Sequence, residues 1–568
     1  MVRSLFIGAL AMLLCAPAST VFADPAHKPA RPPDRDAALN LLKEELDALR
    51  AAEDKRAREV AELRKRIAAL EEALMRSASD AQARTADALK DSRKELQAAR
   101  EALDSTQGRL AALESRQEFQ GRALPWLIPS LEVRLRPMYD RNRSDVDTGR
   151  GDSDLYYLQR IRLGVTLAPR KGVKGVLVLQ DSREWGEEKS TAANSHSLDL
   201  YQGYLRFDDI GDSGFWVQAG RFAMTYGARR QVSEKNFNNI GQAFDGVRLG
   251  FKRDRVLAAD AFAVLYRNGF APVFQARGQD KYSAFAGLHL STSALRWLDA
   301  ELYGFYQDDA FAPQTEKVGT IGARLVARPA AGLELEGEAA VQVGKVTVHD
   351  ETANLRKADH LATAYFLQAK YTGQVRTSPW IGLFFYSASG DANPYDRESV
   401  AYRPVFPSGK GNMGNLELFK WQGVWDIGPT VGLRPAKNMR ISVDFHCYSL
   451  STDGGSLLGF DSHVTRATDP YPGSLTGRVF NVPSGGSRFL GHEMDLEISF
   501  KPVDVLTLGL GYSYFKPGAA ARRGQILSIA ERTTTVDGAE VKTPYWKRDY
   551  RMGNDLAHRA WLEATLSL

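Results

Sequence analysis

From about residue 130 onward, apolar and polar residues alternate with a period of two, segment after segment. The stretch 333–343 has the plainest pattern. Its odd positions are Leu333, Leu335, Gly337, Ala339, Val341 and Val343, while Glu334, Glu336 and Glu338 stand between them. A helix would scatter these residues round its circumference, because its period is 3.6. A strand sorts them onto two faces. Either the apolar face packs inward in a soluble sandwich, or it faces lipid and the glutamates face a watery lumen. A single strand fits both, so what lies between the repeats decides.

About 18 such segments follow one another, most of about 9–12 residues, the length a tilted membrane strand needs. They lie near 130–139, 156–167, 173–182, 198–207, 214–222, 245–252, 256–266, 281–290 and 297–307. The others lie near 318–327, 333–344, 361–371, 379–389, 425–435, 438–449, 488–500, 505–515 and 558–568. Short turns (168–172, 252–255, 328–332, 434–438, 501–504) alternate with long loops (183–197, 223–244, 390–424, 451–487, 516–557). In an even-stranded meander this puts all turns at one end and all long loops at the other, which is the layout of an outer-membrane barrel with both termini in the periplasm. The strands must close on themselves, since an open edge in hydrocarbon leaves backbone groups unsatisfied. The expected fold is therefore all-β, an 18-stranded antiparallel transmembrane β-barrel over 125–568. Loops 390–424 and 516–557 are long enough to fold into its lumen.

The N-terminal part reads differently. Residues 1–23 have a positive start, an apolar run over 5–14 and Val21-Phe22-Ala23 before Asp24, the pattern of a secretory signal peptide. A Pro-rich linker (24–35) leads into a stretch rich in Ala, Leu, Glu, Arg and Lys over 36–118. There Leu42, Leu46, Leu49, Val60, Leu63, Ile67, Leu70 and Leu74 keep a three-four spacing, with Glu53 and Arg56 in the seam. An apolar seam with charged flanks predicts an α-helical coiled coil that associates with a copy of itself or folds back. If unbroken, about 80 residues would span roughly 120 Å. Its basic clusters are interleaved with glutamates in an exported chain, so nucleic acid is not an expected partner. Net charge is only +5, and of the two cysteines Cys15 lies in the leader, so Cys447 has no disulfide partner and no cysteine metal site forms.

Turning the apolar faces outward points Arg134, Arg136, Arg160, Arg162, Arg248, Lys252, Arg324, Arg440 and Arg559 into the lumen. Glu334, Glu336, Glu338, Asp444, Glu493, Asp495, Glu497 and Glu563 join them. The bases gather on strands 1, 2 and 6 and the acids on strands 11 and 16, so opposite walls of opposite sign are expected. Guanidinium groups stay charged and bind carboxylates in a fork, yet such charges also pair with each other in any barrel interior. His492-Glu493-Met494-Asp495 has metal-ligand residue types, but alternation sends His492 to the other face. The segments 391–396 and 238–245 offer oxygens for calcium, though turn chemistry explains them more simply. No cofactor, no catalytic nucleophile with its base and hence no enzyme activity is expected.

Several segments carry a resemblance: RIRLGVTL (160–167), VLQDSREWGE (178–187), LDLYQGYLRF (198–207), QAGRFAMTYGARR (218–230) and FNNIGQAFDGVRLGF (237–251). SASGDANPYD (387–396), YRPVFPSG (402–409), GHEMDLEISFKP (491–502) and LGLGYSYFKPG (508–518) continue it in order. Together they resemble the alginate-export family of outer-membrane porins. The resemblance implies an 18-stranded barrel that lets an anionic exopolysaccharide leave the cell through a lumen of arginines and acids. On that basis Arg221, in the GR segment, joins the lumen set. The coiled coil over 36–118 has no counterpart in the family's best-known members. Two other functions fit the residues: a diffusion porin preferring small anions, and a tether from outer membrane to cell wall with an incidental pore. The expected partners are the outer-membrane bilayer, an anionic polysaccharide, and a periplasmic secretion partner or a second copy at the coiled coil.

Overall fold

The computed structural model describes residues 58–72, 126–143, 146–187, 198–268, 282–309, 316–352, 354–393, 395–408, 410, 412–457, 479–536 and 539–568. The chain divides into two units, Met1–Leu124 and Pro125–Leu568. In the first unit the described residues form one helix, α1 (58–72). Val60, Leu63, Ile67 and Leu70 lie along one side of it and are half-buried, while most of the others are exposed. The signal peptide, the Pro-rich linker and the rest of the coiled-coil stretch lie outside the described residues.

The second unit is a closed barrel of 18 antiparallel strands. They are β1 (Leu127–Arg141), β2 (Asp154–Arg170), β3 (Val173–Glu184), β4 (Asp199–Phe207), β5 (Phe215–Phe222) and β6 (Phe244–Arg253). Next come β7 (Leu257–Asn268), β8 (Tyr282–Leu295), β9 (Leu298–Asp309), β10 (Glu316–Ala330), β11 (Leu333–His349) and β12 (Leu355–Thr372). The last six are β13 (Trp380–Ala388), β14 (Val424–Ala436), β15 (Met439–Leu450), β16 (Phe489–Val503), β17 (Leu506–Pro517) and β18 (Ala557–Ser567). Each pairs with its neighbours in sequence. β18 closes the ring on β1, in a register from Glu132 opposite Ser567 to Arg141 opposite His558. Closure leaves no edge strand, so every spanning backbone group has a neighbour to bond.

The period-two pattern sorts as expected. Leu163, Leu205, Val247, Leu249, Ile321, Leu325, Leu361, Leu367 and Ile381 are exposed on the outer face, as a lipid-facing surface requires. Arg134, Arg136, Arg160, Gln218, Thr320, Glu338 and Asp495 alternate with such positions and are buried inside. No described helix is long and apolar enough to cross a membrane, so the strands do the crossing. The strands run longer than the alternation alone suggests: β12 has 18 residues where the pattern marks 361–371. Its first residues, Leu355-Arg356-Lys357, break the alternation, so periodicity does not reveal them.

Two long loops turn inward. One, 223–243, joins β5 to β6. The other, 389–423, joins β13 to β14, and a bridge from Val232 to Phe406 connects them. The expectation for 390–424 holds. The stretch 516–557 behaves differently: a short helix α2 (Ala519–Arg523) leads into a hairpin of Gln525–Val536 and Ala539–Arg551. That hairpin extends a four-stranded sheet with Gly455–Leu457 and Val479–Val482. Its backbone bonds are satisfied by that sheet rather than by the lumen wall.

The inward loops bring an apolar core into the barrel. Phe222, Met224, Tyr226 and Val232 pack on Phe244, Phe262, Phe285, Tyr303 and Phe305 of the inner wall. Phe406 meets Phe244, Tyr266 and Phe285 edge-on at 5.0–5.1 Å between ring centres. Leu416, Leu418, Phe419 and Trp421 pack likewise on Phe384, Tyr386, Tyr448 and Phe515. Fully burying one such side chain contributes about 1.5–3 kcal/mol, so these loops are built into the fold.

Candidate functional site

The site is the wall that the alternation of β1 and β2 fills with arginines. Arg134 donates from Nη1 to the Asn236 carbonyl at 2.6 Å and from Nη2 to the Asn238 carbonyl at 2.7 Å. Arg136 donates from Nη1 to the Phe237 carbonyl at 2.5 Å and lies 3.9 Å over that residue's ring. Its Nε reaches Glu563 at 2.8 Å. Arg160 bonds Glu132 at 2.6 Å, the Asn236 carbonyl at 3.0 Å and the Asn236 side-chain oxygen at 2.7 Å. Arg162 donates to Gln180 and to the Asn236 side chain and stacks 3.8 Å over Tyr201. Backbone carbonyls taken out of water need donors, and this wall supplies them to three successive residues of loop 223–243. The carboxylates bonded to the four arginines are Glu132 and Glu563, with Glu234 of the loop nearby. Most of the other bonds go to neutral oxygens, which leaves the wall net positive.

The acidic wall is differently balanced. Arg230, from the same loop, donates to Glu336 at 2.7 Å and Glu338 at 2.8 Å and lies 3.4 Å over Phe366. Burial alone would lower its pKa; Tyr386, Glu336 and Glu338 outweigh burial and raise it. Arg324 bonds Glu336 at 2.8 Å and also pairs with Glu301. Glu334 meets Lys370 at 2.6 Å and Arg328 at 3.2 Å. Every glutamate of the row over 334–338 thus faces a cation.

On β16, Glu493 accepts the Leu416 N–H at 2.8 Å and Asp495 accepts the Asn415 N–H at 3.0 Å. Gly414 makes this approach feasible: its φ is +85°, and a Cβ there would lie 2.4 Å from the Tyr448 hydroxyl and 2.5 Å from Glu493. His446 donates to Asp426 at 2.7 Å and stands 3.5 Å from Asp495. Arg559 bonds Asp140 at 2.8 Å, Glu417 at 3.1 Å and the Asn415 carbonyl. The circular order corrects one expectation. β11 lies across the barrel from β1 and β2, but β16 is only three strands from β1, because the ring closes there. The acids are therefore not one wall opposite the arginines, since those on β16 hold loop 389–423 instead.

The remaining candidates are scattered. Arg221 pairs with Asp245 at 2.7 Å and is a third exposed. Arg248 pairs with Asp260 across β6 and β7 and lies over Trp216. Lys252 is exposed near the C-terminal end of β6, beside the turn. Arg440 lies 4.9 Å over Trp380 at the turn end of the barrel. There it lines a cavity of about 410 Å³ with Lys370, Trp380, Arg434, Asp444, Asp495 and Glu497 among its walls. His492 stacks on Phe445 and Phe489, away from Glu493. Asp391, Asn393 and Asp396 accept backbone N–H groups two residues on, as turn residues do. Among the described residues no cluster of three or more His, Cys, Asp or Glu side chains is placed to hold a metal.

Sequence reading missed the loop partners: Arg230, Asn236, Phe237, Asn238 and Glu417. It also missed Lys235, whose pKa burial and the neighbouring Lys420 push down to about 8. One signal was present. A loop carrying Met224, Tyr226, Val232 and Phe237 is too apolar for a solvated excursion.

The family description Alginate export matches residues 125–535. The chain belongs to the alginate export family. Its barrel also resembles solved porins at low identity. OccK8 (OprE) of Pseudomonas aeruginosa aligns over 78% of this chain and 98% of its own, at 12% identity and a TM-score of 0.46. OprD from Pseudomonas aeruginosa aligns over 78% and 94%, at 13% identity and 0.43. OprB of Pseudomonas putida aligns over 80% and 96%, at 10% identity and 0.36. Among curated proteins none matches significantly. This member of the alginate export family is an outer-membrane channel of the Gram-negative type, seated in the bilayer by its apolar girdle.

Proposed function

We propose that this channel passes an anionic exopolysaccharide of the uronate class from the periplasm to the outside, passively, along the arginine wall of β1 and β2. The observation that carries this reading is the character of that wall's bonds. Arg134, Arg136, Arg160 and Arg162 hold loop 223–243 through neutral oxygens of Asn236, Phe237 and Asn238. A carboxylate presents a stronger acceptor to a guanidinium than a carbonyl does, and it binds in a fork. A uronate chain arriving at the wall therefore competes for these donors against neutral acceptors of the loop. The glutamates of β11 oppose this little, because Arg230, Arg324, Arg328 and Lys370 already neutralise them.

Planar-bilayer recording of the purified protein tests the proposal. The expected result is anion selectivity in a salt gradient and block by uronate oligomers added on the periplasmic side. Equal passage of both ions with no block by the oligomers would sink it, and would favour a diffusion porin or a tether with an incidental pore.

A further inference from the structure

One stretch of the lumen wall departs from the pairing seen elsewhere. The cavity of about 410 Å³ at the turn end, walled by β12–β16, lies at the periplasmic entrance. Its size falls within the range of about 300–1,000 Å³ usual for small-ligand sites. Most of its charges are committed. Lys370 pairs with Glu334 at 2.6 Å, Glu497 with Lys410 at 2.8 Å, and Asp495 accepts the Asn415 N–H at 3.0 Å. Arg434, Arg440 and Asp444 differ: among the described residues, none of the three has a side-chain hydrogen bond or ion pair.

Their places follow from the strand register. Gly432 of β14 stands opposite both Trp380 of β13 and Ser442 of β15. A Cβ on Gly432 would lie 2.1 Å from the Trp380 ring, so the glycine makes room for the indole against the sheet. The Arg440 guanidinium lies 4.9 Å from the centre of that ring, a cation–π contact that places the arginine and leaves its N–H donors unused. Arg434 comes from the end of β14, where its backbone N–H bonds the Thr377 carbonyl at 2.7 Å. Asp444 faces Thr430, farther from the turn. It is four residues from Arg440 on β15, about 13 Å at about 3.3 Å per residue. Two guanidinium groups thus stand toward the turn and one carboxylate farther in, with Ser442 between them. A simple anion fits this set poorly, because Asp444 repels it. A ligand with a carboxylate and several hydroxyl donors satisfies all three groups, since guanidinium binds carboxylate in a fork and a carboxylate accepts strongly from hydroxyls.

We propose that this cavity is an entry subsite for an acidic sugar unit, with Arg434 and Arg440 on a uronate carboxylate and Asp444 accepting from ring hydroxyls. It rests on the reading of the cargo as a uronate chain, and adds the place where that chain is held at the periplasmic mouth and distinguished by its hydroxyls.

Isothermal titration calorimetry of the full-length protein in detergent tests this, with a triuronate, the neutral trisaccharide of the same hexoses, and glutarate as probes. The triuronate should bind, and the other two at least tenfold more weakly. Arg434→Gln and Arg440→Gln should each weaken triuronate binding at least tenfold. Lys437→Gln, an exposed charge of the adjoining turn that does not line the cavity, should change it less than twofold. Asp444→Asn separates a sugar site from a merely positive vestibule: it should weaken the triuronate at least fivefold. Tighter binding there, the effect of deleting a negative charge, would overturn the proposal, as would equal affinity for glutarate or no triuronate binding. Heat-modifiable migration should show that each variant's barrel is folded. Bilayer recordings separate this inference from the cargo reading. Triuronate binding and block both unchanged in Arg434→Gln/Arg440→Gln would overturn the subsite and leave the cargo reading standing. Binding lost in that double variant, from a wild-type channel with neither anion selectivity nor block, would support the subsite and sink the cargo reading.

Discussion

Arg230→Met asks whether loop 223–243 is a releasable plug. The wild-type guanidinium is buried between Glu336 and Glu338 and stacked on Phe366. Removing one partner of a buried pair costs about 3–5 kcal/mol, mostly through the charge left behind. Here the remaining carboxylates are not abandoned: Glu336 keeps Arg324 and Glu338 keeps the Tyr303 hydroxyl at 2.8 Å. The lower end, about 3 kcal/mol, is therefore appropriate, and methionine retains the apolar packing against Phe366. At about 1.4 kcal/mol per tenfold, the ratio of docked to released loop falls by roughly two orders of magnitude. In planar bilayers this should raise the frequency of large-conductance events about a hundredfold, with heat-modifiable migration of the barrel unchanged. A folded variant whose event frequency stays within about threefold of wild type would refute the reasoning. It would mean that the apolar contacts of Tyr226, Val232 and Phe406, with the bonds from the β1–β2 arginines, suffice to hold the loop.

Further expectations follow from the same contacts. Arg134→Gln with Arg160→Gln should shift the reversal potential in a salt gradient toward cations and raise the concentration of uronate oligomer needed for half-block by at least tenfold; an unchanged potential would mean the wall is off the ion path. Glu334→Gln, which leaves Arg230 undisturbed and Arg328 paired with Asp299 but frees Lys370, should raise anion selectivity without raising event frequency, as the same bilayer recordings would reveal. Lys235 sets a pH dependence. Its pKa in the docked loop, held near 8 by burial and Lys420, lies below its ordinary 10.5, so between those values the released loop binds more protons than the docked one. Docking therefore strengthens as pH rises from about 8 to 10.5, and event frequency should fall across that window and be flat below it. Lys235→Met should abolish this change, and a frequency that rises with pH would contradict the argument. Deleting 36–118 should leave single-channel conductance intact, since that stretch belongs to a separate unit.

The barrel was legible because each strand writes its own signature. The alternation of 333–343 is local, and eighteen repeats with turns of unequal length admit one closed arrangement. The inner side-chain set was legible for the same reason: Arg134, Arg136, Arg160, Glu336, Glu338, Glu493 and Asp495 all face inward. What those side chains touch was not legible. Arg134 lies 102 positions from Asn236, and Arg559 lies 419 from Asp140. No periodicity carries a contact of that separation. The small sheet of Gly455–Leu457, Val479–Val482, Gln525–Val536 and Ala539–Arg551 was hidden for a related reason, since β16 and β17 come between its second and third strands and its strands bond each other rather than the barrel.

The two loops explain why a lumen so heavily charged is not simply filled with mutually paired side chains. The acidic wall meets loop 223–243 through Arg230, a full ion pair with aromatic stacking. β16 meets loop 389–423 through buried N–H donors beside Phe419 and Tyr448. Both attachments join charge or amide to a dry apolar core, where electrostatic contacts are strongest. The β1 and β2 wall has no such core: it holds backbone carbonyls of a polar Asn-Phe-Asn run, with Phe237 its one ring, against Arg136 and the edge of Trp561. The three attachments are therefore unequal. The one on β1 and β2 holds neutral oxygens against a net positive wall, so a gap between the loop and β1–β2 is the one where an anion gains most by entering.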